Sequence, residues 1–378
     1  MMRNDNIPLH GGEADRPVRL DFSVNVNPLG IPESVRKALP ELAASACVYP
    51  DRECRELREA LSRYLSKEYS VSISPEMLIP GNGASELLQI LCRAVKPEKA
   101  LITAPCFSGY ERALKACGAG IEYYNLRKEN GFVLTEDFLR VLSEYAQLPD
   151  LIILCQPNNP VGNVIAPELL REIADFCQER RIYLILDECF AELLNDPRKH
   201  SLMTAVSGNA FLIVLRAFTK TYAMPGLRLG YAVVSDSVLR SRIRELLPEW
   251  NVSGPAQRAG CAALNSGSYL ERSRLVLGRE RGYLKAELQA LGGEVFDGEA
   301  GFLLFSVGED RGRLRDLLLE RGILIRDCAN YRGLADDDRH YYRIAVRLHE
   351  ENESLISAMK EILSDRSVNE GNSSGTAR

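Results

Sequence analysis

From Met77 onward the chain alternates between two patterns: short runs in which nearly every residue is apolar, and longer stretches in which apolar residues recur every three or four positions. The short runs are Met77 to Pro80, Ala100 to Thr103, Ile121 to Asn125, Leu151 to Cys155, Ile182 to Leu186, Phe211 to Leu215 and Leu229 to Val234. Runs this short and this apolar read as strands buried on both faces. The stretches between them, among them Ala84 to Val95, Gly109 to Cys117, Pro167 to Glu179 and Ser237 to Leu247, read as helices. The alternation predicts an α/β fold with a seven-stranded, mostly parallel sheet sandwiched by helices. Ligands of such sheets gather at the carboxyl ends of the strands.

The flanks read differently. Asp21-Phe-Ser-Val-Asn-Val-Asn-Pro-Leu-Gly30 carries the punctuation of an irregular loop, Ile31 to Leu42 a short helix, and Tyr49-Pro50-Asp51 the opening of a charged helix through about Ser66. After Ser266 a helical pattern runs to about Leu291. Strand-like Gly301 to Val307, Ile323 to Arg326 and Tyr342 to Val346 follow, with helices at Arg311 to Arg321 and Glu351 to Leu363. The expected organisation is an N-terminal loop and helix over 1–44 joining a smaller domain, a large domain over 45–265, the smaller α+β domain over 266–364, and a disordered tail over 365–378.

Composition narrows the function classes. A chain of 378 residues, 46% hydrophobic and 26% charged, is ordinary for a globular protein with substantial cores. Its net charge of −5 argues against nucleic acid as a partner, which would call for a strong basic footprint. No stretch approaches the roughly 20 apolar residues that span a bilayer, and the first residues lack a signal-peptide core, so no membrane partner and a cytoplasmic location are expected. Ten cysteines are scattered singly among only four histidines, with no Cys-x-x-Cys pair, so no metal is expected. Cys189 reads as packing, since no histidine neighbours it in sequence to activate a thiolate.

Four strand ends carry candidate chemistry. The run beginning at Leu212 ends in a single lysine, Lys220, and turns through Pro225-Gly226 to Arg228. An amine leaving an apolar strand is poorly solvated, which lowers its pKa and makes it a nucleophile for a carbonyl, while a guanidinium suits a phosphate. An ordinary loop lysine and arginine would look the same in isolation. Gly81-Asn-Gly-Ala-Ser-Glu86 follows the first strand and opens a helix. There the N–H groups of Gly83, Ala84 and Ser85 and the Ser85 hydroxyl can hold a phosphate, although Gly and Ser also simply start helices. Asn159, in Gln156-Pro-Asn-Asn-Pro-Val-Gly162, offers an amide to a phenolic oxygen. Asp187 ends the fifth strand as either a solvated cap or the partner of a buried cation such as a pyridinium nitrogen.

Taken in order, Gly-Asn-Gly-Ala-Ser, Gln-Pro-Asn-Asn-Pro-x-Gly, Asp-Glu, Thr-Lys-x-Tyr-Ala-x-Pro-Gly-Leu-Arg-Leu-Gly and Tyr-Arg-Ile-Ala-Val resemble the class I/II aminotransferase family of pyridoxal-phosphate enzymes. The resemblance covers nearly the whole chain except the tail. It implies pyridoxal 5'-phosphate as cofactor, Lys220 as the residue that carries it and shuttles protons, Asp187 at its ring nitrogen and Asn159 at its ring hydroxyl. It further implies Phe107 stacked on the ring, and Thr219 joining Ser85, Ala84 and Arg228 at the phosphate. Tyr49 would reach the phosphate of a neighbouring subunit in a homodimer with shared sites, and Arg343 would clamp the substrate carboxylate. Two positions depart from the family pattern: Phe190 stands where a tyrosine is usual, and Ala217 where a phosphate-binding serine is common.

Within the family the chain looks most like the branch that holds histidinol-phosphate aminotransferases and threonine-phosphate decarboxylases. His10-Gly-Gly12, the Asp21 to Gly30 loop, Ile325-Arg-Asp-Cys-Ala-Asn-Tyr331 and Phe190 tilt toward decarboxylation of L-threonine O-3-phosphate. The alternatives are transamination of histidinol phosphate or an aromatic amino acid, and a cofactor-binding regulator without catalysis. His10, Asn27 and Arg326 are candidates for gripping a substrate phosphate; the competing role for Arg326 is an ion pair with Asp327. His200, His340 and His349 sit among polar neighbours and read as surface residues.

Overall fold

The computed structural model describes residues 11–308, 313–335 and 339–373. In chain order its strands are β1 (Leu20–Asp21), β2 (Leu78–Gly81), β3 (Lys99–Ala104), β4 (Gly120–Asn125), β5 (Leu151–Cys155), β6 (Tyr183–Asp187), β7 (Leu212–Ala217), β8 (Gly230–Val234), β9 (Gly293–Val295), β10 (Phe302–Val307), β11 (Ile323–Leu324), β12 (Arg326–Asp327) and β13 (Tyr341–Ala345). Strands β2 to β8 form one seven-stranded sheet in the order β2-β8-β7-β6-β5-β3-β4. Only β8 runs against the rest, pairing antiparallel with β2 and β7. The carboxyl ends of β2, β3, β5, β6 and β7 therefore share one edge.

Strand alternation divides the core into two layers. Ile79, Ile102, Ile153, Ile185, Ile213 and Val234 face the helices Ala84–Val95, Ser108–Ala116 and Ser237–Leu246. Leu78, Leu101, Ile152, Leu184, Val214 and Val233 face Arg55–Tyr69, Pro167–Arg180 and Gly254–Leu264. Both faces are covered, which is why these strands read as continuous apolar runs rather than alternating ones. Each fully buried Leu or Ile contributes about 1.5–3 kcal/mol, and this rigid slab holds the strand ends in place.

A four-stranded antiparallel sheet, β12-β13-β10-β9, follows, and β1 pairs parallel with β11 to tie the N-terminal segment to this part of the chain. The expected single strand Ile323 to Arg326 is thus two, joined to different sheets, and the step between them at Ile325 brings Arg326 opposite Arg343. The expected helix Ile31 to Leu42 is also two, Glu33–Lys37 and Leu39–Ser45, because Pro40 can sit only in a first turn. The helix expected from Asp51 begins instead at Arg55, after Cys54 in the left-handed region at φ 47°. Asp51 accepts from the backbone N–H of Arg55 at 2.9 Å and of Glu53 at 3.1 Å. Residues 311 and 312 of the expected Arg311 helix lie outside the described residues, and the helix is Leu314–Glu320. The last helix, His349–Ser373, takes in residues 365–373 of the tail expected to be disordered, where no proline interrupts it, and residues 374–378 lie outside the described residues. Among the described residues no helix is long and apolar enough to cross a membrane.

Candidate active site

The shared strand edge opens on a cavity of about 520 Å³. Ala84, Ser85, Phe107, Asn159, Asp187, Thr219, Lys220, Arg228, Arg326 and Arg343, ten of the residues singled out in the sequence, line it. At one end β2 turns through Gly83, whose φ of +83° is the left-handed region that favours glycine. A Cβ there would stand 2.7 Å from Arg228 Nη2, so the guanidinium lies against the start of the helix Ala84–Val95. Glu86 closes the turn by accepting from Asn82 N at 2.7 Å. Helix N–H groups and a guanidinium converge there, as an anion requires.

At the centre, Asp187 is buried at the end of β6 and accepts from the Tyr110 hydroxyl at 2.8 Å and from Cys189 N at 3.0 Å. Burial pushes its pKa above the usual carboxylate value, and those two hydrogen bonds only partly offset the effect. The doubled asparagine divides its work. Asn158 ties the loop down, donating to Pro105 O at 3.1 Å and accepting from Val161 N at 3.2 Å, while Asn159 faces the cavity and accepts from Arg343 Nη1. Lys220, half-buried in the short helix Phe218–Thr221, has its pKa lowered to about 8, first by burial and then by Arg343. Cys189 also lines the cavity, but burial and then Asp187 push its thiol well above the ordinary range, so it is no thiolate.

At the far end, Arg326 and Arg343 are direct cross-strand partners on β12 and β13, at 3% and 5% exposure. Arg343 Nη2 donates to Ser23 O at 2.8 Å, and its guanidinium carbon lies 5.5 Å from the Phe302 ring centre. Arg326 donates to Asn330 Oδ1 at 2.7 Å, whereas Asp327 accepts from Ala329 N at 2.9 Å and meets His340 Nε2 at 2.8 Å. His340 is therefore tied to this sheet rather than to open solvent. Similarly, His200 is buried. Phe190, without a hydroxyl, packs edge-on against Phe302 at 5.2 Å, and Ala217 lines the cavity without one.

Two expected site residues fall elsewhere, and a third is not among the described residues. Asn27 is buried with its amide spent on structure: it donates to Thr221 O at 3.0 Å and Ser273 Oγ at 2.8 Å and accepts from Leu29 N at 3.1 Å. That leaves no group for a substrate phosphate. Tyr49 is 82% exposed, its ring 4.9 Å from that of Trp250, away from this cavity. His10 lies outside the described residues, although Gly11 lines the cavity and Gly12 N donates to Ser23 Oγ at 2.7 Å.

Sequence reasoning passed over Ser23, Asn25, Tyr110, Arg112, Cys155 and Tyr331, all of which line the cavity. Asn25 stands two residues before Asn27 in the same Asp21 to Gly30 loop, and a loop has no period to rank the two. Among the described residues the buried Oδ1 of Asn25 has no hydrogen-bond partner, nor does Arg343 Nε. An anion cradle, a buried carboxylate, a lysine of lowered pKa, an aromatic ring and two orphaned polar atoms together fit pyridoxal phosphate and an anionic substrate.

Comparison with known proteins agrees. Residues 18–359 match the family described as aminotransferase class I and II. The threonine-phosphate decarboxylase of Salmonella typhimurium is 38% identical over 348 residues, 91% of each chain. The histidinol-phosphate aminotransferase of Methanosarcina mazei is 32% identical over 339 residues, 89% of this chain and 86% of that protein. Among solved structures, the histidinol-phosphate aminotransferase of Clostridium acetobutylicum superposes with a TM-score of 0.82 at 30% identity, covering 92% of this chain and 99% of that one. With the strand-edge cavity and its fit to the cofactor, these matches establish that this chain belongs to the class I and II aminotransferase family of pyridoxal-phosphate enzymes.

Proposed function

We propose that this protein decarboxylates L-threonine O-3-phosphate to (R)-1-amino-2-propanol O-2-phosphate, a step of cobalamin synthesis. The observation that carries the reading is the Arg326–Arg343 pair. Like charges directly opposite in an antiparallel ladder repel, and buried charges are costly unless compensated. An amino acid bearing both a carboxylate and a phosphate supplies two anionic groups to that pair, beyond the one phosphate that Arg228 serves. The similarity to the Salmonella typhimurium decarboxylase points the same way.

In this reading Gly83, Ala84, Ser85, Thr219 and Arg228 hold the cofactor phosphate, Asn159 its ring hydroxyl, Asp187 its ring nitrogen, Phe107 a ring face and Lys220 its aldehyde carbon. Bound pyridoxal phosphate supplies an electron sink for a bond broken at the substrate α-carbon. Asp187, with its hydroxyl and amide donors already in place, keeps a negative charge where a ring cation needs one. Lys220, near pKa 8, can hold or release a proton at working pH. Arg343, fixed by Ser23 and Asn159, orients the carboxylate, and orientation decides which α-carbon bond breaks. Phe190 presents a ring without a hydroxyl at the cavity wall, packed edge-on against Phe302. Tyr49, exposed beside Trp250, serves the cavity of a second copy in a homodimer. Sedimentation of the holoprotein as a monomer at micromolar concentration would count against that last assignment.

Transamination of histidinol phosphate is the second reading, favoured by the similarity to the Methanosarcina mazei and Clostridium acetobutylicum proteins. One assay separates the two: holoprotein is incubated with threonine phosphate, with and without 2-oxoglutarate. Carbon dioxide released without a keto acid supports decarboxylation, and glutamate formed only with 2-oxoglutarate overturns it.

A further inference from the structure

Beneath the cavity floor lies a second polar layer that the proposed reaction does not use. Successive strand residues face opposite sides of a sheet. Asp187 and Ala217 open on the cavity, so Glu188 and Arg216 point away from it, into the layer that holds Leu186, Val214, Tyr231 and the helix Arg55–Tyr69. Both charged residues are essentially inaccessible to solvent. Arg216 donates to Glu188 Oε2 from Nε at 3.0 Å and from Nη2 at 2.6 Å. Its Nη2 also reaches the Tyr69 hydroxyl at 2.7 Å and Ser201 Oγ at 3.0 Å. Ser201 Oγ donates to the same Glu188 Oε2 at 2.8 Å, and Leu202 N donates to Oε1 at 2.9 Å. Glu192, which accepts from the Tyr64 hydroxyl at 2.9 Å, stands 3.6 Å from Arg216 Nη1.

Stability is a weak reason for such a pair. Two desolvated charges are often replaced by apolar residues of similar volume without loss. Position is a stronger reason. The backbone ladder between β6 and β7 ends where Glu188 N donates to Leu215 O at 2.8 Å. Beyond that point the chain after β7 is held to β8 by Phe218 N donating to Leu229 O at 3.0 Å, then enters the short helix that carries Lys220. Where the ladder stops, the Arg216–Glu188 contact continues to join the two strand ends, with the Ser201 hydroxyl bonded to both side chains. One partner adjoins Asp187 in sequence, and the other lies four residues before Lys220.

We propose that the buried Arg216–Glu188 pair is a positioning device, fixing the strand end that bears Asp187 against the one that leads to Lys220. This rests on the use of Asp187 and Lys220 proposed above. The pair touches neither substrate nor cofactor and acts through those two residues.

The test uses the holoprotein and the variants Ser201→Ala, Tyr69→Phe and Glu188→Gln. Ser201→Ala removes the two hydrogen bonds that its hydroxyl makes to the pair and Tyr69→Phe removes one, and both leave the two charges in place, so they remain informative should Glu188→Gln fail to fold. The primary readout is the pH midpoint of the bound cofactor's absorbance band, which tracks the electrostatic setting of Lys220 and Asp187 and which a loss of global stability alone would not move. The expected result is a midpoint displaced by about half a unit in at least one of the mild variants, with kcat lowered roughly tenfold and KM within about twofold. A midpoint unmoved in both, whatever happens to the melting temperature, overturns the proposal. Because the band needs no substrate, failure of the wild type to turn over threonine phosphate would sink the substrate reading and leave this test standing.

Discussion

The lowered pKa of Lys220 gives the sharpest quantitative prediction. Its amine titrates near 8 rather than at the ordinary 10.5, because burial removes water from the ammonium and Arg343, then Arg228, add positive charge nearby. At pH 7 a group of pKa 8 is about 10% neutral, whereas one at 10.5 is about 0.03% neutral, a difference of roughly 300-fold in reactive amine. Carbamylation of the cofactor-free protein by cyanate, followed residue by residue by peptide mass spectrometry, reads that fraction directly. Lys360 is an internal reference of opposite sign, since its hydrogen bond to Glu287 raises its pKa. Lys220 is expected to react with a half-maximal rate near pH 8, and Lys360 only in the usual lysine range or above. Arg343→Met removes the second-largest cause of the depression, so the Lys220 midpoint is expected to rise toward the ordinary value by up to about one unit. A wild-type midpoint at or above the usual lysine range, or a midpoint that falls in Arg343→Met, would refute the electrostatic account of this amine.

Three further outcomes follow from the geometry. Asp187→Asn relieves a buried carboxylate that burial already penalises, so the cofactor-free protein is expected to melt no lower than wild type while the stabilisation gained on adding pyridoxal phosphate shrinks; calorimetry of both forms checks this. Gly83→Ala places a Cβ against Arg228 at a φ of +83°, costing on the order of 1–2 kcal/mol of backbone strain, and cofactor titration is expected to show affinity weakened about tenfold with the far-ultraviolet spectrum unchanged. Asn27→Ala strips the partner from Thr221 O and is expected to destabilise by about 1–3 kcal/mol in urea with KM unchanged, whereas Asn25→Ala is expected to raise KM and leave stability nearly intact; the reverse pattern would restore Asn27 as a substrate ligand.

These contrasts mark how far the sequence could be read. Asp187, Asn159 and Lys220 were legible because each ends, or closely follows, a run apolar enough to be a buried strand, and strand ends of a parallel sheet share one edge. Arg326 was legible as a candidate, but its place opposite Arg343 depends on the chain leaving one sheet at Leu324 and joining another at Arg326, a step that no hydrophobic period encodes. The choice between Asn25 and Asn27 turns on Thr221 and Ser273, contacts separated by 194 and 246 residues, so a loop signature could find the pair and not the member. The Arg216–Glu188 contact is the most instructive case. Once Asp187 is assigned to the cavity face, alternation alone sends Glu188 to the other face, and the same holds for Arg216 beside Ala217. What the sequence lacks is the register, because β6 and β7 are parallel neighbours joined by a long connection and no hairpin turn fixes which residues meet. A charged residue inside an otherwise apolar strand is thus a request for a partner. Finding that partner takes only the strand order and one backbone hydrogen bond, here Glu188 N to Leu215 O, which the folded sheet supplies and the periodicity does not.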